Sequence, residues 1–566
     1  MSIISSRKSL NSSILKSSVN RNDSIKKAKI LRFEVQTLSS VKEILTDLDD
    51  NPNLKCYQNL IYKLSDKDIK DEELRKIISE CIECVSVFRK DHILLVQSLL
   101  DTRWIMRSND IIELFHRFIL NLMTSKSDFL MLCLSKIIGC FIPDDDESDF
   151  WCNGIPTIEM KMKLNLVHTL IAKILEVMPM IPVTLRKEIR SEFPYFKEQN
   201  FKIVGYIHNL FMILEYCPSM TYDIVDLVLE NLVMIDVNVT REQIELSEAD
   251  EDENDEDIMK LPVAETLDLC MEKVFNFIQS KFEDNSDSGK RNQKMIIQAI
   301  FTYFDEQILK THTKHVHFIL FYIASLEKTF LNDFLNFLWR KTVDRNQSPT
   351  IRQIAIGYLS SFLSRTKFLP METLKNYLTL LSDWAHDYIK ACDFNPNKNP
   401  KAHVVFYSVC QAMFYIIAFR GPQLTRGKEN LKFLLALDLW PIVKHPLNPL
   451  NVCLPAIVTI FDNITTKYQI LFCRTIIVNN ASKCLTTVYA NEQHRPEEVL
   501  ESVFPFDPYL LKKSGKRIFP LYVEYEGIQD DITDSPLQSR KRTRNESTSC
   551  DLEDFIIKDS KIQKLF

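Results

Sequence analysis

From about residue 36 to about 525, apolar residues return at the spacing of an α-helix, segment after segment. In residues 111–123, IIELFHRFILNLM, they fall at Ile111, Leu114, Phe115, Phe118, Ile119 and Leu122. That is the i, i+3, i+4, i+7, i+8 stripe of one helix face. Residues 206–214, 222–232, 274–278, 295–304, 318–326, 330–338 and 374–384 behave likewise. Convincing period-two alternation is scarce. Short polar breaks separate the stripes, often at a proline: Pro143, Pro156, Pro179, Pro182, Pro194, Pro218, Pro349 and Pro370. Proline lacks an amide and clashes with the preceding turn, so each break reads as a helix end. Hundreds of residues of such helices, about 20 apart, predict an all-α fold. Its expected form is a HEAT/armadillo-like helical-repeat superhelix over 33–525. At ~40–47 residues per repeat the chain would hold roughly ten or eleven units.

Glycine usage narrows the function. The 566 residues include only nine glycines, no two closer than six residues. Glycine supplies positive φ and close backbone approach, so nucleotide cradles and tight hairpins consume it. A GxGxxG fingerprint or phosphate-binding loop has little material here. Net charge is −6, which gives no global attraction to nucleic acid. The 14 cysteines lack framework spacing and read as buried thiols of a reducing compartment. The start of the chain lacks the apolar core of a secretory signal. Residues 404–419, VVFYSVCQAMFYIIAF, form the one stretch that mimics a membrane span. It is short of the ~18–20 residues a crossing needs and contains Ser408 and Gln411, so a helix buried among helices is expected, with no membrane partner.

Three segments break the rhythm. Residues 1–32 carry eight Lys or Arg against one acid, and nine serines lie within the first 24 residues; a disordered basic tail is expected. Residues 144–149, DDDESD, read as a short acidic loop. Residues 242–257 hold ten carboxylates, so a disordered acidic insertion over about 242–260 is expected, either solvated or shielding a basic surface. Residues 526–566 turn polar again. There Arg540, Lys541, Arg542 and Arg544 form a compact basic cluster that nuclear import receptors could read, and Ser535 precedes a proline as a candidate proline-directed phosphosite.

A search for chemistry comes back empty. The run from Gly421 to Glu429, GPQLTRGKE, has five residues between its glycines and no Ser or Thr after Lys428, so it fails as a phosphate loop. Cys81 and Cys84 form a lone CxxC within a helical pattern, which reads as core. His312, His315 and His317 have no acidic or cysteine ligand beside them in sequence, so no metal is assigned. Signatures of zincins, α/β-hydrolases and kinases are missing. No cofactor and no enzymatic activity are expected.

Two blocks depart from generic helical sequence. HPLNPLNVCLP (445–455) crowds three prolines into a path expected to be fixed and non-helical, and FPFDPYLL (504–511) offers three aromatics able to clamp a C-terminal segment onto the body. Together with FYSVCQAMFYIIAFR (406–420), PLNPLNVCLPAIV (446–458), TKYQILFCRTII (466–477) and FPFDPYLLKKSGKRIFPLY (504–522), the chain resembles the RNA polymerase I-specific transcription initiation factor family. IRQIAIGYLSSFLSRTKFLP (351–370), HVHFILFYIAS (315–325) and PVAETLDLCM (262–271) are similar too. The resemblance spans roughly 90–525 and implies a HEAT-repeat protein without catalysis, nuclear and nucleolar. It would bridge RNA polymerase I, through its stalk, to the promoter-bound core factor, and would dimerise when free. It also implies phospho-regulated polymerase docking, for which Thr124, Ser125 and Ser127 are the nearest candidates. A weak promoter-DNA contact would fall on Arg365 and Lys367, although a solvated helix end is the simpler expectation there. The alternative is an unrelated helical-repeat nuclear adaptor or transport receptor, against which the two proline-rich blocks speak.

Overall fold

The structure, a computed structural model, describes residues 40–50, 55–66, 69–152, 154–248, 257–394, 399–490, 500 and 504–525. It divides into two compact units: Met1–Ile137 with Lys173–Pro179, and Ile138–Ala172 with Met180–Phe566. Helices of eight or more residues are numbered in chain order.

In the first unit lie α1 (Val41–Asp50), α2 (Lys55–Leu64), α3 (Asp71–Glu83), α4 (Ile93–Leu100) and α5 (Asn109–Ser125), followed by α6 (Leu130–Gly139) at its edge. Each helix packs on the next but one: α1 on α3, α2 on α4, α3 on α5. That pattern is what stacked helical hairpins produce. The 111–123 stripe supplies Ile111, Phe115, Phe118, Ile119 and Leu122, all buried. Trp104 stacks on Phe115 at 4.7 Å and Phe88 meets Phe118 and Phe129 at about 6 Å. Cys81 and Cys84 are core residues of this unit, and burial pushes both thiols up, Cys84 to about 11.

The second unit continues with α7 (Ile158–Val177, its last turn counted with the first unit), α8 (Ile181–Ser191), α9 (Asn200–Tyr216), α10 (Thr221–Asn238), α11 (Arg241–Glu248), α12 (Pro262–Glu283) and α13 (Asp287–Glu306). Then come α14 (Phe318–Leu326), α15 (Lys328–Val343), α16 (Pro349–Arg365), α17 (Met371–Phe394), α18 (Val404–Phe419), α19 (Lys428–Ala436), α20 (Pro455–Lys467) and α21 (Arg474–Ala490). Alternate packing recurs: α12 on α14, α16 on α18, α18 on α20, and α9 on α12 and α10 on α13 across the short α11. All the predicted stripes lie on helices. The strands among the described residues form one two-residue hairpin, β1 (Trp151–Cys152) against β2 (Ile155–Pro156).

Several local expectations change. Pro182, Pro218 and Pro349, expected at helix ends, instead open helical segments; Pro262 and Pro455, for which no such expectation is made, also open helices. At the first turn the missing amide has no partner to lose and the fixed φ already suits the helix. The acidic run at 144–149 is ordered as a 3₁₀ turn, Asp145–Phe150, with Asp144 and Glu147 in a reciprocal capping box. The insertion is helical at its start: α11 buries Ile244, pairs Arg241 with Glu245 at 3.6 Å and is capped by Thr240 and Gln243. Residues 249–256 of that insertion lie outside the described residues. The 445–455 block contains one helical turn, Pro449–Val452, entered through Asn448 at φ 46°. The block is seated on α18, where Leu447 O accepts from the Tyr407 hydroxyl and Gln411 Oε1 accepts from Leu454 N. The α18 helix is the apolar 404–419 stretch, and every residue after Val404 is buried. Gly421 lets α18 end against α20, because a Cβ there would lie 2.5 Å from Ile464 Cδ1.

Candidate functional site: a C-terminal clamp and an exposed hydroxyl loop

Residues 504–525 lie across α12, α14, α16 and α18, held first by rings. Phe506 is fully buried, with the rings of His317, Phe318, Phe321, Tyr358 and Phe362 around it at 5.1–5.8 Å. Its amide donates to Ser361 Oγ at 2.9 Å and its carbonyl accepts from the Tyr522 hydroxyl. Tyr509 packs on Phe318 and His315, Phe504 on Tyr415, and Tyr525 on Phe419. The chain then forms a bridge with the end of α16: Val523 N donates to Arg365 O, and Lys367 N to Leu521 O.

The two histidines before α14 are structural anchors of this arrangement. Asp236, buried in α10, accepts from His315 Nδ1 and from the amides of Lys314, His315 and Val316 at 2.8–3.1 Å. Burial would raise this carboxyl, but the His315 ring and amides outweigh it and hold it at about 2. His317 is pushed down to about 4 by burial and is neutral. Its Nε2 lies 2.5 Å from Pro505 O, which can only accept, so Nε2 carries the proton and Nδ1 accepts from the Thr313 hydroxyl. Among the described residues no group of His, Cys, Asp and Glu could hold a metal ion.

Charge completes the clamp. The segment KKSGKR (512–517) meets a carboxylate at each basic side chain: Lys512 with Glu248, Lys513 with Glu265, Lys516 with Asp257 and Arg517 with Glu272, all within 2.6–3.1 Å. Asp268, fully buried, accepts from the amides of Lys513 and Ser514 and from the Ser514 hydroxyl at 2.5–2.8 Å. Arg517 also donates to Gln279 and Asn276 on α12. Glu248 and Asp257 are the described residues on either side of 249–256, so the acidic insertion is tied at both edges to the basic segment.

This arrangement binds sequence blocks that the family model for the RNA polymerase I specific transcription initiation factor RRN3 also contains, since that model matches residues 34–261 and 259–530. The chain belongs to this family. Its members are transcription initiation factors, a non-enzymatic regulatory class with a role in the nucleus. The chain is 32% identical over 545 residues to the RNA polymerase I-specific transcription initiation factor RRN3 of Mus musculus, covering 87% of this chain and 81% of that protein. To the rrn3 factor of Schizosaccharomyces pombe it is 24% identical over 574 residues, covering 91% and 90%. A crystal structure of RNA polymerase I transcription initiation factor Rrn3 superposes with a TM-score of 0.72 at 20% identity, covering 86% of this chain and 97% of the other, and so shares the fold.

In this family member the described candidate site residues fall in both units, Thr124, Ser125 and Ser127 in the first and Arg365 and Lys367 in the second. Thr124, Ser125 and Ser127 are exposed where α5 gives way to a short 3₁₀ turn. Thr124 Oγ1 donates back to Leu120 O, while Lys126 Nζ donates to Ser86 O and Lys90 pairs with Asp128. Arg365 corrects the sequence reading, both as a DNA contact and as a solvated helix end. It is fully buried, its guanidinium 4.4 Å from the Phe419 ring and 5.2 Å from Tyr522, under the clamp. A stacked, delocalised cation suits that site, and no phosphate could reach it there. Lys367 is exposed. Ser535, Arg540, Lys541, Arg542 and Arg544 lie outside the described residues. The roles of His315, His317, Asp236 and Asp268 went unread in the sequence. The available signal was a single acid inside an apolar helix pattern, Asp236 in MIDVNV and Asp268 in TLDLCM.

Proposed function

We propose that this chain binds RNA polymerase I, through its stalk, and bridges it to promoter-bound core factor, acting in the nucleolus to start ribosomal RNA synthesis. The observation that carries the reading is the family match across nearly the whole chain, which includes the clamped 504–525 segment. Docking is assigned to the face of the first unit that carries Thr124, Ser125 and Ser127, whose hydroxyls are open to a kinase. A phosphate there adds close to two negative charges and would repel an acidic partner surface or cost desolvation in an apolar one. The free protein is read as a homodimer, so docking requires the dimer to separate.

The test is recovery of polymerase from nuclear extract on the tagged full-length chain. RNA polymerase I subunits should be retained, and Thr124→Asp with Ser125→Asp and Ser127→Asp should cut retention at least about tenfold while the alanine triple variant keeps it. Recovery of transport cargo without polymerase would overturn the reading. Exclusion of the protein from the nucleolus of growing cells would count equally against it.

A further inference from the structure

Beside the β1–β2 hairpin three basic side chains from three helices gather without a carboxylate. Lys273 of α12 is half-buried, and its Nζ reaches only a backbone oxygen, Gly154 O at 3.4 Å. His208 of α9 is half-buried with its ring 5.8 Å from Trp151, edge to face, and has no hydrogen-bond partner among the described residues. Lys161 of α7 is exposed and pairs with no described acid. The hairpin is pinned over them, because Gly154, at φ +74°, leaves no room for a Cβ against Val204 and packs toward Leu269. Trp151, itself buried, has an indole N–H without a partner.

The contrast with adjacent lysines is informative. Lys163 pairs with Glu159 at 3.3 Å and lies over the Phe150 ring, and Lys202 pairs with Asp145 at 2.6 Å. Of the acids close by in sequence, Glu159 and Asp145 are committed to these lysines and Asp144 and Glu147 to the capping box, while Asp149 is exposed to solvent. Lys161 and Lys273 feel each other, and both bear on His208, as does His168. Burial, assisted by Lys161, lowers the Lys273 ammonium to about 8, and burial with these cations lowers His208 to about 3. Cys270 is the other titratable neighbour of Lys273. Burial and mutual repulsion disfavour the charged forms of these groups, and an anion placed among them would relieve both. The hairpin and the start of α7 also leave apolar side chains in water: Ile155, Ile158 and Met162 are 54%, 79% and 65% exposed.

We propose that Lys161, His208 and Lys273 form a binding site for a phosphate monoester presented on a serine or threonine of a protein segment, with Ile155, Ile158 and Met162 receiving its apolar flanking residues. Two ammonium groups and an imidazole N–H offer more donors than a single carboxylate can use, and they match the three acceptor oxygens of a phosphoryl group. The ligand's two negative charges complement two ammonium groups that form no ion pair with a described carboxylate.

The test uses the full-length chain and a labelled peptide, Leu-Glu-Leu-phosphoserine-Leu-Glu-Leu, with unphosphorylated and glutamate-substituted versions, read by fluorescence anisotropy. The phosphorylated peptide should bind at least about tenfold more tightly than either control. Lys273→Met should erase that difference, whereas Lys163→Met, which removes a lysine of α7 already paired with Glu159, should keep it. Acetylation by an N-hydroxysuccinimide ester at pH 7.5 gives a second readout, since Lys273 should label ahead of most lysines and be protected by the phosphopeptide. Equal binding of phosphorylated and unphosphorylated peptides, or an undiminished preference in Lys273→Met, overturns the proposal. Equal binding of the glutamate peptide overturns the phosphate assignment.

Discussion

Replacing Phe506 by alanine should loosen the clamp without unfolding the helices beneath it. The ring is fully buried among five aromatic side chains, so deletion removes both its transfer free energy and the contacts of the cavity left behind. Phe→Ala at such sites costs about 3–5 kcal/mol. Because residues 504–525 reach the body as one strap, that loss falls mainly on the equilibrium between seated and lifted strap. At about 1.4 kcal/mol per decade, 4 kcal/mol raises the lifted fraction roughly a thousandfold. Amide hydrogen exchange reads this directly at Val523 and Lys367, whose N–H groups bond across the bridge to Arg365 O and Leu521 O. Both should exchange faster by two to three orders of magnitude (about 10²–10³), while the amides of α5 in the other unit keep their rates. A change below about tenfold at Val523 and Lys367, with the fold intact, would show that Phe506 is not what holds the strap.

Further outcomes follow from the same contacts. Arg517→Ala leaves Glu272 half-buried with the Asn276 amide but without its cation and should destabilise by about 1–3 kcal/mol, seen as a lower midpoint in urea. Acid should destabilise the protein through His317: its folded proton affinity, about 4, lies below the ordinary 6.5, so the unfolded chain takes up the proton first. Stability should fall as pH drops below about 6.5 and level off once pH passes the folded value near 4, and His317→Gln should flatten this part of the pH profile relative to wild type. Gly154→Ala, at a positive φ and with 2.7 Å from its Cβ to Val204 Cγ1, should cost more than about 1 kcal/mol and lift the hairpin, measured as a lower melting temperature.

The helices were legible because burial leaves a local imprint: a one-face stripe in α5, and a continuous apolar run in α14 and α18, which are buried on nearly every side. What pairs across long stretches of chain leaves none. Nothing local to Asp236 points to His315, about 80 residues away, and nothing in KKSGKR points to Glu265, Asp268 or Glu272, about 245 residues back. Arg365 was misread for the same reason. A basic residue ending a helix is ordinarily solvated, and only the arrival of Tyr522 and Phe419 makes that position interior. The aromatic block at 504–511 was legible as a clamp, because three rings interrupted by two prolines have no local core to enter. The expected docking hydroxyls at 124–127 are exposed, but exposure alone distinguishes them little from other loop hydroxyls.

The clamp also sets an order on synthesis. Asp268, Phe318, Phe321, Ser361 and Arg365 are made well before the strap that buries them, some 140–250 residues later. At about 5–20 residues per second the ribosome leaves this aromatic groove uncovered for several seconds to most of a minute. During that interval the growing chain exposes a charged arginine and a cluster of phenylalanines to whatever surrounds it. Hold-type chaperones should therefore engage this region on ribosomes from which Arg365 has emerged and leave once Tyr522 has emerged. A chain stopped before Phe504 would stay in that exposed condition permanently.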